Sequence, residues 1–86
     1  MEDEKRLSKS LLGKTVVSET GKIFGDVGDL VFETSSGEIM HVVLSNPATH
    51  ALKLDLEKDK AGNILIPFTA VLAIADYLVI REEDII

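Results

Sequence analysis

The sequence predicts an all-β fold, a small barrel of about six strands. Short runs of Val, Ile and Leu are separated by turn residues at intervals of about 8 to 12 positions. Apolar residues make up 45% of the 86-residue chain, which is sufficient for a single small core. The segment KIFGDVGDLVFE, residues 22–33, is strand-like but contains two glycines and changes the parity of its apolar positions. These features favour one strongly bent sheet.

The first half of the chain predicts two hairpins. Residues 1–10 are polar, and we expect them to form a flexible arm before the barrel. A strand, a tight turn and a second strand follow, with Gly21 taking the positive φ of the turn. The next hairpin closes at Gly37 and leads into a strand that runs from Ile39 to Ser45.

The two glycines of the bent segment predict a corner in one long second strand. A β-bulge at Gly28 and Asp29 would insert one residue and move the inward face from Ile23, Gly25 and Val27 to Leu30 and Phe32. Gly25 would leave space for a crossing strand where a side chain would clash. The alternative is two separate strands joined by a loop at Gly28.

The segment ALKLDLEKDKAGNILIPF predicts a third hairpin. Leu52, Leu54 and Leu56 alternate with charged residues, which is the pattern of a half-buried strand. An amphipathic helix over residues 50–60 is the competing interpretation, although a period of 2 fits this segment better than a period of 3.6.

The end of the chain predicts a turn and a final pair of strands. Pro67 ends the returning strand of the third hairpin, and FTAV after it fits a single helical turn. The last strands lie within residues 71–80 and are broken near Asp76. An acidic and apolar tail, residues 81–86, follows the barrel.

Composition excludes several classes of function. The formal charge of −6 argues against a direct contact with nucleic acid, which requires a basic surface. The sequence contains no cysteine, so it has no disulfide, no thiolate metal site and no cysteine nucleophile. The N-terminus is charged, and no segment approaches the ~20 apolar residues of a membrane span. We therefore expect a cytoplasmic protein that does not insert into a membrane.

Candidate catalytic and metal-binding groups are isolated from one another. His41 lies on an apolar strand, and His50 lies in a predicted loop with no carboxylate at useful spacing. This spacing favours a partly buried or interface histidine over a zinc ligand. Asp26 and Asp29 flank the predicted bulge and are expected to accept hydrogen bonds from its free N–H groups. We expect no catalytic residues, no cofactor and no metal.

The strands carry more apolar residues than one small core needs. On the strand from Ile39 to Ser45, we expect Met40 and the even-numbered residues after it to face the barrel interior. A partner chain is the simplest cover for the opposite face, and residues 1–12 or 46–60 are the alternative cover. Two terminal isoleucines would extend the last strand, pack on the barrel or bind a partner's sheet edge. The predicted protein interface comprises Ile39, His41, Val43, Leu78, Ile80, Ile85 and Ile86.

The segment LLGKTVVSETGKIFGDVGDLVFETSSGEIMHVVLS resembles the opening of a PRC-barrel domain. ILIPFTAVLAIADYLVI is similar to the closing segment of that family, in which a strand containing proline leads through a short turn to a last strand. The resemblance covers residues 11–80, which we take as the domain. It rests on Leu12-Gly13-Lys14, on Gly21-Lys22-Ile23 with Gly25 and Val27, on Leu30-Val31-Phe32, and on Gly37.

The resemblance implies a barrel whose common role is to bind proteins. The chain shows neither the transmembrane helix of the photosynthetic H subunit nor the extra barrel of RimM, and it is similar to short free-standing archaeal PRC-barrel proteins. Some of those are dimeric cell-division factors that link to SepF, the membrane anchor of the FtsZ ring. This implies a cytokinesis adaptor recruited to the division site as a homodimer or a paralogous heterodimer. The alternatives are a ribosome- or RNA-associated module like the PRC domain of RimM and a small-molecule sensor.

Overall fold

The computed structural model describes residues 9–86. The predicted arm therefore lies almost entirely outside the described residues, and residues 9–11, where the described part begins, are helical. Within the described range, and in addition to these helical residues, six strands form one sheet with the short helix Thr49–Lys53 and two 3₁₀ turns. The elements are β1 (Thr15–Ser18), β2 (Ile23–Phe32), β3 (Ile39–Ser45), α1 (Thr49–Lys53), β4 (Leu65–Pro67), the 3₁₀ turn Phe68–Ala70, β5 (Val71–Ile74), β6 (Tyr77–Ile80) and the 3₁₀ turn Glu82–Asp84.

The sheet has the strand order β4-β3-β2-β1-β6-β5. All neighbouring strands are antiparallel except β1 and β6, which run parallel. The two edge strands, β4 and β5, are consecutive in the chain and are joined only by the 3₁₀ turn Phe68–Ala70. The sheet must therefore coil until its edges approach each other, which is the shape of a small barrel. The predicted all-β barrel of about six strands, with a helical turn before the last strands, is confirmed.

β2 is one continuous strand with a corner at Gly28. Val27 pairs with Leu44 and Asp29 pairs with Val43, so Gly28 is the extra residue of a bulge. The Leu30 N–H donates a hydrogen bond of 2.8 Å to Asp29 Oδ1, which satisfies a donor that the bulge frees from the ladder. The alternative of two strands joined by a loop does not occur.

A second bulge lies earlier in β2 and reverses the predicted inward face there. Val16 pairs with Gly25 and Val17 pairs with Ile23, which leaves Phe24 as the extra residue. Phe24 is fully buried, whereas Ile23 is 56% exposed, so the prediction that Ile23 faces inward is wrong. Phe32, also predicted to face inward, pairs with the core-facing Ile39 but is 44% exposed at the end of β2.

Gly25 lies where β2 passes the end of β3. Its φ is +145°, a backbone conformation that L side chains rarely adopt. A Cβ built on Gly25 would lie 3.0 Å from the Ser45 carbonyl oxygen and 3.1 Å from both the Asn46 oxygen and Pro47 Cα. Glycine is therefore needed both for the backbone conformation and for the close approach of a second backbone.

The predicted third hairpin is correct only in its second half. Thr49–Lys53 forms α1 instead of a strand, as the competing helical interpretation proposed for this part. The His50 ring packs edge-on against Phe24, with centroids 5.2 Å apart, and Ala51 is fully buried. These tertiary contacts override the alternating pattern that the sequence shows. Strand-like pairing resumes at Lys58, which bridges Ile64.

The core fills the barrel interior and extends under α1. Two leucines from outside the strands close it, since Leu11 is fully buried and Leu56 is 5% exposed. Ile85, in the predicted tail, packs against this core, whereas Ile86 is 70% exposed. The buried cluster comprises Leu11, Val16, Phe24, Val27, Leu30, Val42, Leu44, Ala51, Leu56, Ile64, Ile66, Leu78 and Ile80.

Candidate protein-binding surfaces

Each histidine has a single carboxylate neighbour. His50 Nε2 lies 2.8 Å from Glu82 Oε1, which ties α1 to the C-terminal 3₁₀ turn. His41 Nε2 lies 3.7 Å from Glu57 Oε1 on the outer face of β3. Over residues 9–86, no group of three His, Asp or Glu side chains is placed to hold a metal ion. No helix in the same range is long and apolar enough to cross a membrane.

A third bulge, in β3, exchanges the predicted orientations of Ile39 and Met40. Val31 pairs with His41 and Phe32 pairs with Ile39, so Met40 is the extra residue. The expectation that Met40 faces inward and Ile39 outward is wrong, because Ile39 packs against the core and Met40 is 43% exposed. A bulge re-aims the side chain that it inserts, which is the physical reason for the exchange.

The predicted outward face of β6 is also reversed. Leu78 and Ile80 are both fully buried, so their assignment to an interface is wrong. β6 pairs in parallel with β1, and Leu78 is in register with the buried Val16, which fixes it on the inner face. Tyr77, 54% exposed, and the half-buried Val79 therefore form the outer face. His41 and Val43 are half-buried on the outer face of β3.

An apolar row crosses the outside of four strands. Ile23 of β2 pairs with Val17 of β1, Val17 pairs with Val79 of β6, and Val79 pairs with Ala73 of β5. Directly paired residues point to the same face of a sheet with Cβ atoms roughly 5 Å apart, so the four side chains form one continuous strip. Tyr77, two residues before Val79, extends the strip. We call these five residues the outer row.

The outer row is a surface without charge. Of its larger side chains, Ile23 is 56% exposed and Tyr77 is 54% exposed. Leu72, the extra residue of a bulge in β5, is 46% exposed beside it. Monomeric soluble proteins rarely expose contiguous apolar patches of more than a few hundred Å². An uncharged apolar strip across four strands is therefore typical of a surface that another protein covers.

Three exposed apolar residues lie at the turn end of the β2–β3 hairpin. Val31, Phe32 and Met40 are 40%, 44% and 43% exposed, and the pairing of Val31 with His41 and of Phe32 with Ile39 places Val31 and Phe32 on opposite faces of the sheet. We call these three residues the hairpin tip. Aromatic residues and methionine are enriched at protein interfaces, and the thioether side chain adapts to irregular partners.

Acidic residues surround the hairpin tip. Asp29, Glu33, Glu38 and Glu57 lie on or beside the strands that carry it, and residues 23–52 contain no lysine or arginine. Ser35 donates to Glu33 Oε1 through its backbone N–H at 3.1 Å and its hydroxyl at 2.8 Å. These hydrogen bonds lower the pKa of Glu33 below its ordinary value. The rim of the hairpin tip is thus negatively charged.

Sequence reasoning missed both surfaces because neither follows from simple alternation. The bulge at Gly28 carries a glycine signal, but those at Phe24, Met40 and Leu72 insert ordinary residues. The parallel pairing of β1 with β6 joins residues that are distant in the chain, and no local sequence pattern predicts this pairing. The sequence predicted an apolar surface beyond the needs of the core. Leu78 and Ile80 of that prediction are buried, whereas His41, Val43 and Ile86 are accessible.

Comparison with known proteins assigns the family. A model of the PRC-barrel domain matches residues 3–84. An uncharacterized protein of Methanocaldococcus jannaschii is 30% identical over 82 residues, which cover 95% of this chain and 88% of that protein. The coiled six-stranded sheet agrees with this assignment. The chain therefore belongs to the PRC-barrel domain family.

Proposed function

We propose that this protein is a non-enzymatic, protein-binding adaptor that acts as a dimer and recruits another protein in archaeal cell division. A SepF-type division protein is the proposed partner, and the adaptor reaches the division site from the cytoplasm through that partner. The outer row is the observation that carries the proposal. Its five residues form an uncharged apolar strip across β2, β1, β6 and β5, positions that the core does not use.

Burial of the outer row supplies a driving force for association. Covering an apolar side chain of the size of isoleucine or valine contributes about 1.5–3 kcal/mol relative to leaving it in water. Only part of each side chain in the row is accessible, so several must be covered together to offset the entropic cost of association. An extended face that several residues share meets this condition, whereas single exposed side chains such as Leu52 do not.

A second copy of the chain, or a paralogue, is the proposed occupant of the outer row. The chain carries a net charge of −6, so two copies repel each other unless they meet through an uncharged surface. The outer row offers that surface, since none of its five residues is Asp, Glu, His, Lys or Arg. The same net charge disfavours RNA and anionic lipid as direct ligands.

Co-purification tests the adaptor function. Tagged wild-type protein, the Ile23→Glu variant and the Leu52→Glu variant would be expressed in the native archaeon, and captured proteins would be identified by mass spectrometry. Leu52 is 64% exposed on α1, does not belong to the outer row and is the matched control. We expect the wild type and Leu52→Glu to capture a SepF-type protein. The Ile23→Glu variant should capture at least about tenfold less, because a monomer loses the avidity of two linked sites.

Two outcomes of this experiment would contradict the proposal. Capture of ribosomal proteins in place of division proteins would favour the ribosome-associated alternative. Equal capture by all three baits would show that the outer row contributes nothing to partner recruitment.

A further inference from the structure

The register of β2, β3 and β4 points to their shared outer face as the docking site for an apolar segment that carries a basic residue at each end. A partner protein would contribute this segment. The inference rests on the proposed function in one respect, that the ligand is a protein, and it concerns a surface other than the outer row. We call the surface the β3 face, and it comprises Val31, His41, Val43, Leu65 and Pro67.

Direct pairing places these five side chains on one face of the sheet. His41 pairs with Val31 of β2 and with Pro67 of β4, and Val43 pairs with Leu65 of β4. The pair of residues between these two rows of β3 and β4 is fully buried, so the rows on either side of it face outward. Val31 is 40% exposed and the other four residues are half-buried, which leaves a continuous and partly accessible surface.

Two carboxylates lie at opposite ends of one row of the β3 face. Asp29 of β2 pairs directly with Val43. On the far side of β4, the Leu65 N–H donates a 2.8 Å hydrogen bond to the Glu57 carbonyl oxygen, and Glu57 Oε1 lies 3.7 Å from His41 Nε2. The row across the sheet is therefore Asp29, Val43, Leu65 and Glu57. Neighbouring strands are ~4.8 Å apart, so two acidic positions roughly 14 Å apart enclose two apolar side chains.

The two carboxylates select the chemistry of the partner. Within residues 9–86, neither Asp29 nor Glu57 is paired with a lysine or an arginine. Asp29 Oδ1 accepts a hydrogen bond from the Leu30 N–H, and Glu57 has the His41 ring as its neighbour. Both acidic residues are exposed, so cationic side chains of a partner can reach them. An apolar segment with a basic residue at each end is complementary to this row in charge and in spacing.

The same carboxylates argue against a second copy of the chain as the occupant. A symmetric contact would bring the acidic ends of two β3 faces together, and repulsion between like charges would oppose it. The β3 face is also separate from the outer row. Asp26 pairs with Ser45 and with Thr15, which places a polar row between the two surfaces. A partner on the β3 face and a second copy on the outer row can therefore bind independently.

Binding of a defined probe tests this inference. The probe is a short helical peptide with an apolar stripe and two lysines about ten residues apart, because a helix rises about 1.5 Å per residue. One control peptide has glutamate in place of both lysines, and a second has the same composition with the two lysines adjacent. NMR titration of the isotope-labelled full chain would locate the contact, and calorimetry would give the affinity.

We expect the lysine peptide to shift resonances mainly at residues 29–31, 41–43, 57 and 65–67. Its affinity should fall as salt increases, because exposed charges are screened. The peptide with adjacent lysines should bind about threefold more weakly or worse, since it can contact only one of the two carboxylates at a time. The glutamate peptide should not bind.

Matched variants separate the β3 face from general attraction to an acidic protein. Asp29→Asn/Glu57→Gln removes both carboxylates, and the asparagine keeps an oxygen that can accept from the Leu30 N–H. This variant should bind the lysine peptide about threefold to tenfold more weakly at low salt. Asp76→Asn/Glu83→Gln removes the same number of carboxylates outside the β3 face and should leave the affinity within about twofold of the wild type.

A second pair of variants tests the apolar part of the surface. Val31→Ser should weaken binding of the lysine peptide by about threefold or more, because the accessible part of the valine would no longer be buried in the contact. Leu52→Ser, on α1, should leave the affinity within about twofold. The two side chains are 40% and 64% exposed, and unchanged melting temperatures would verify that each variant remains folded.

Several results would overturn the inference. These are no binding of the lysine peptide, equal binding of either control peptide, an equal loss in either control variant, and shifts centred on the outer row. Conversion of a dimer to a monomer by Val31→Ser would show that a second copy covers the β3 face, and it would also overturn the inference. Because all of these variants leave the outer row intact, failure here is distinguishable from failure of the proposed dimeric adaptor.

Discussion

Replacing Phe24 with alanine is expected to lower the free energy of unfolding by about 3–5 kcal/mol. Phe24 is fully buried at the bulge of β2, where its ring meets the edge of His50. Truncation removes that contact and leaves a cavity that the surrounding strands fill only in part. A small domain is stable by about 5–15 kcal/mol, so this loss would be a large part of the total. Urea denaturation followed by circular dichroism measures it.

The neighbouring residue is the matched control for this prediction. Ile23→Ala should change the free energy of unfolding by less than about 1 kcal/mol, because Ile23 is 56% exposed on the outer face. Alternation in the sequence favoured the opposite order, with Ile23 inside. A larger loss for Ile23→Ala than for Phe24→Ala would show that β2 pairs without the bulge at Phe24.

Gly25→Ala is expected to destabilise the fold by about 3–5 kcal/mol, through backbone strain and a steric clash together. The clashing atoms are the Ser45 and Asn46 carbonyl oxygens and Pro47 Cα, all 3.0 to 3.1 Å from the position of the new Cβ. These are backbone atoms and cannot move aside by changing a rotamer. Denaturation in urea, compared with the wild type, measures the difference.

Gly13→Ala isolates the contribution of the clash. Gly13 also has a positive φ, +85°, but a Cβ built there meets nothing within 4 Å. Its replacement should therefore cost only the penalty of a left-handed residue, about 1–2 kcal/mol. Equal losses for the two variants would mean that β2 does not approach the end of β3 as closely as described.

Much of the barrel was predictable because turns and corners carry local signals. Gly21 and Gly37 mark their turns with positive φ, and Gly28 marks the corner of β2. Pro67 ends β4 before the 3₁₀ turn, where a missing N–H costs least. In each case the backbone conformation requires a glycine or a proline, so the turn or strand end can be recognised from the residue type in a single sequence.

The orientation of several strands was not predictable because no local residue signal marks the bulges that set it. Bulges at Phe24 and Met40 insert residues with no unusual backbone preference, so only pairing with the neighbouring strand reveals them. Each bulge moves the residues on one side of it to the opposite face. The assignment of Leu78 and Ile80 to an interface was wrong because the strand that pairs with them, β1, lies about sixty residues earlier in the sequence.

The sequence pattern favoured a strand over α1 because tertiary contacts decide the structure of this segment. Its five residues are too few for helical propensity alone to stabilise a helix. The His50 hydrogen bond to Glu82 and the burial of Ala51 hold it against the barrel. The C-terminal segment takes part in this arrangement, since Ile85 packs on the same core.

The central claim is that the outer row is a protein-binding surface. The most direct test of this claim is the mass of the protein in solution. Multi-angle light scattering should give the wild type and Leu52→Glu twice the 9.4 kDa mass of one chain. Ile23→Glu should give the mass of a single folded chain, because a buried carboxylate on each copy would disrupt the contact. A wild type that remains a single chain, or an Ile23→Glu variant that remains a dimer, would contradict the claim.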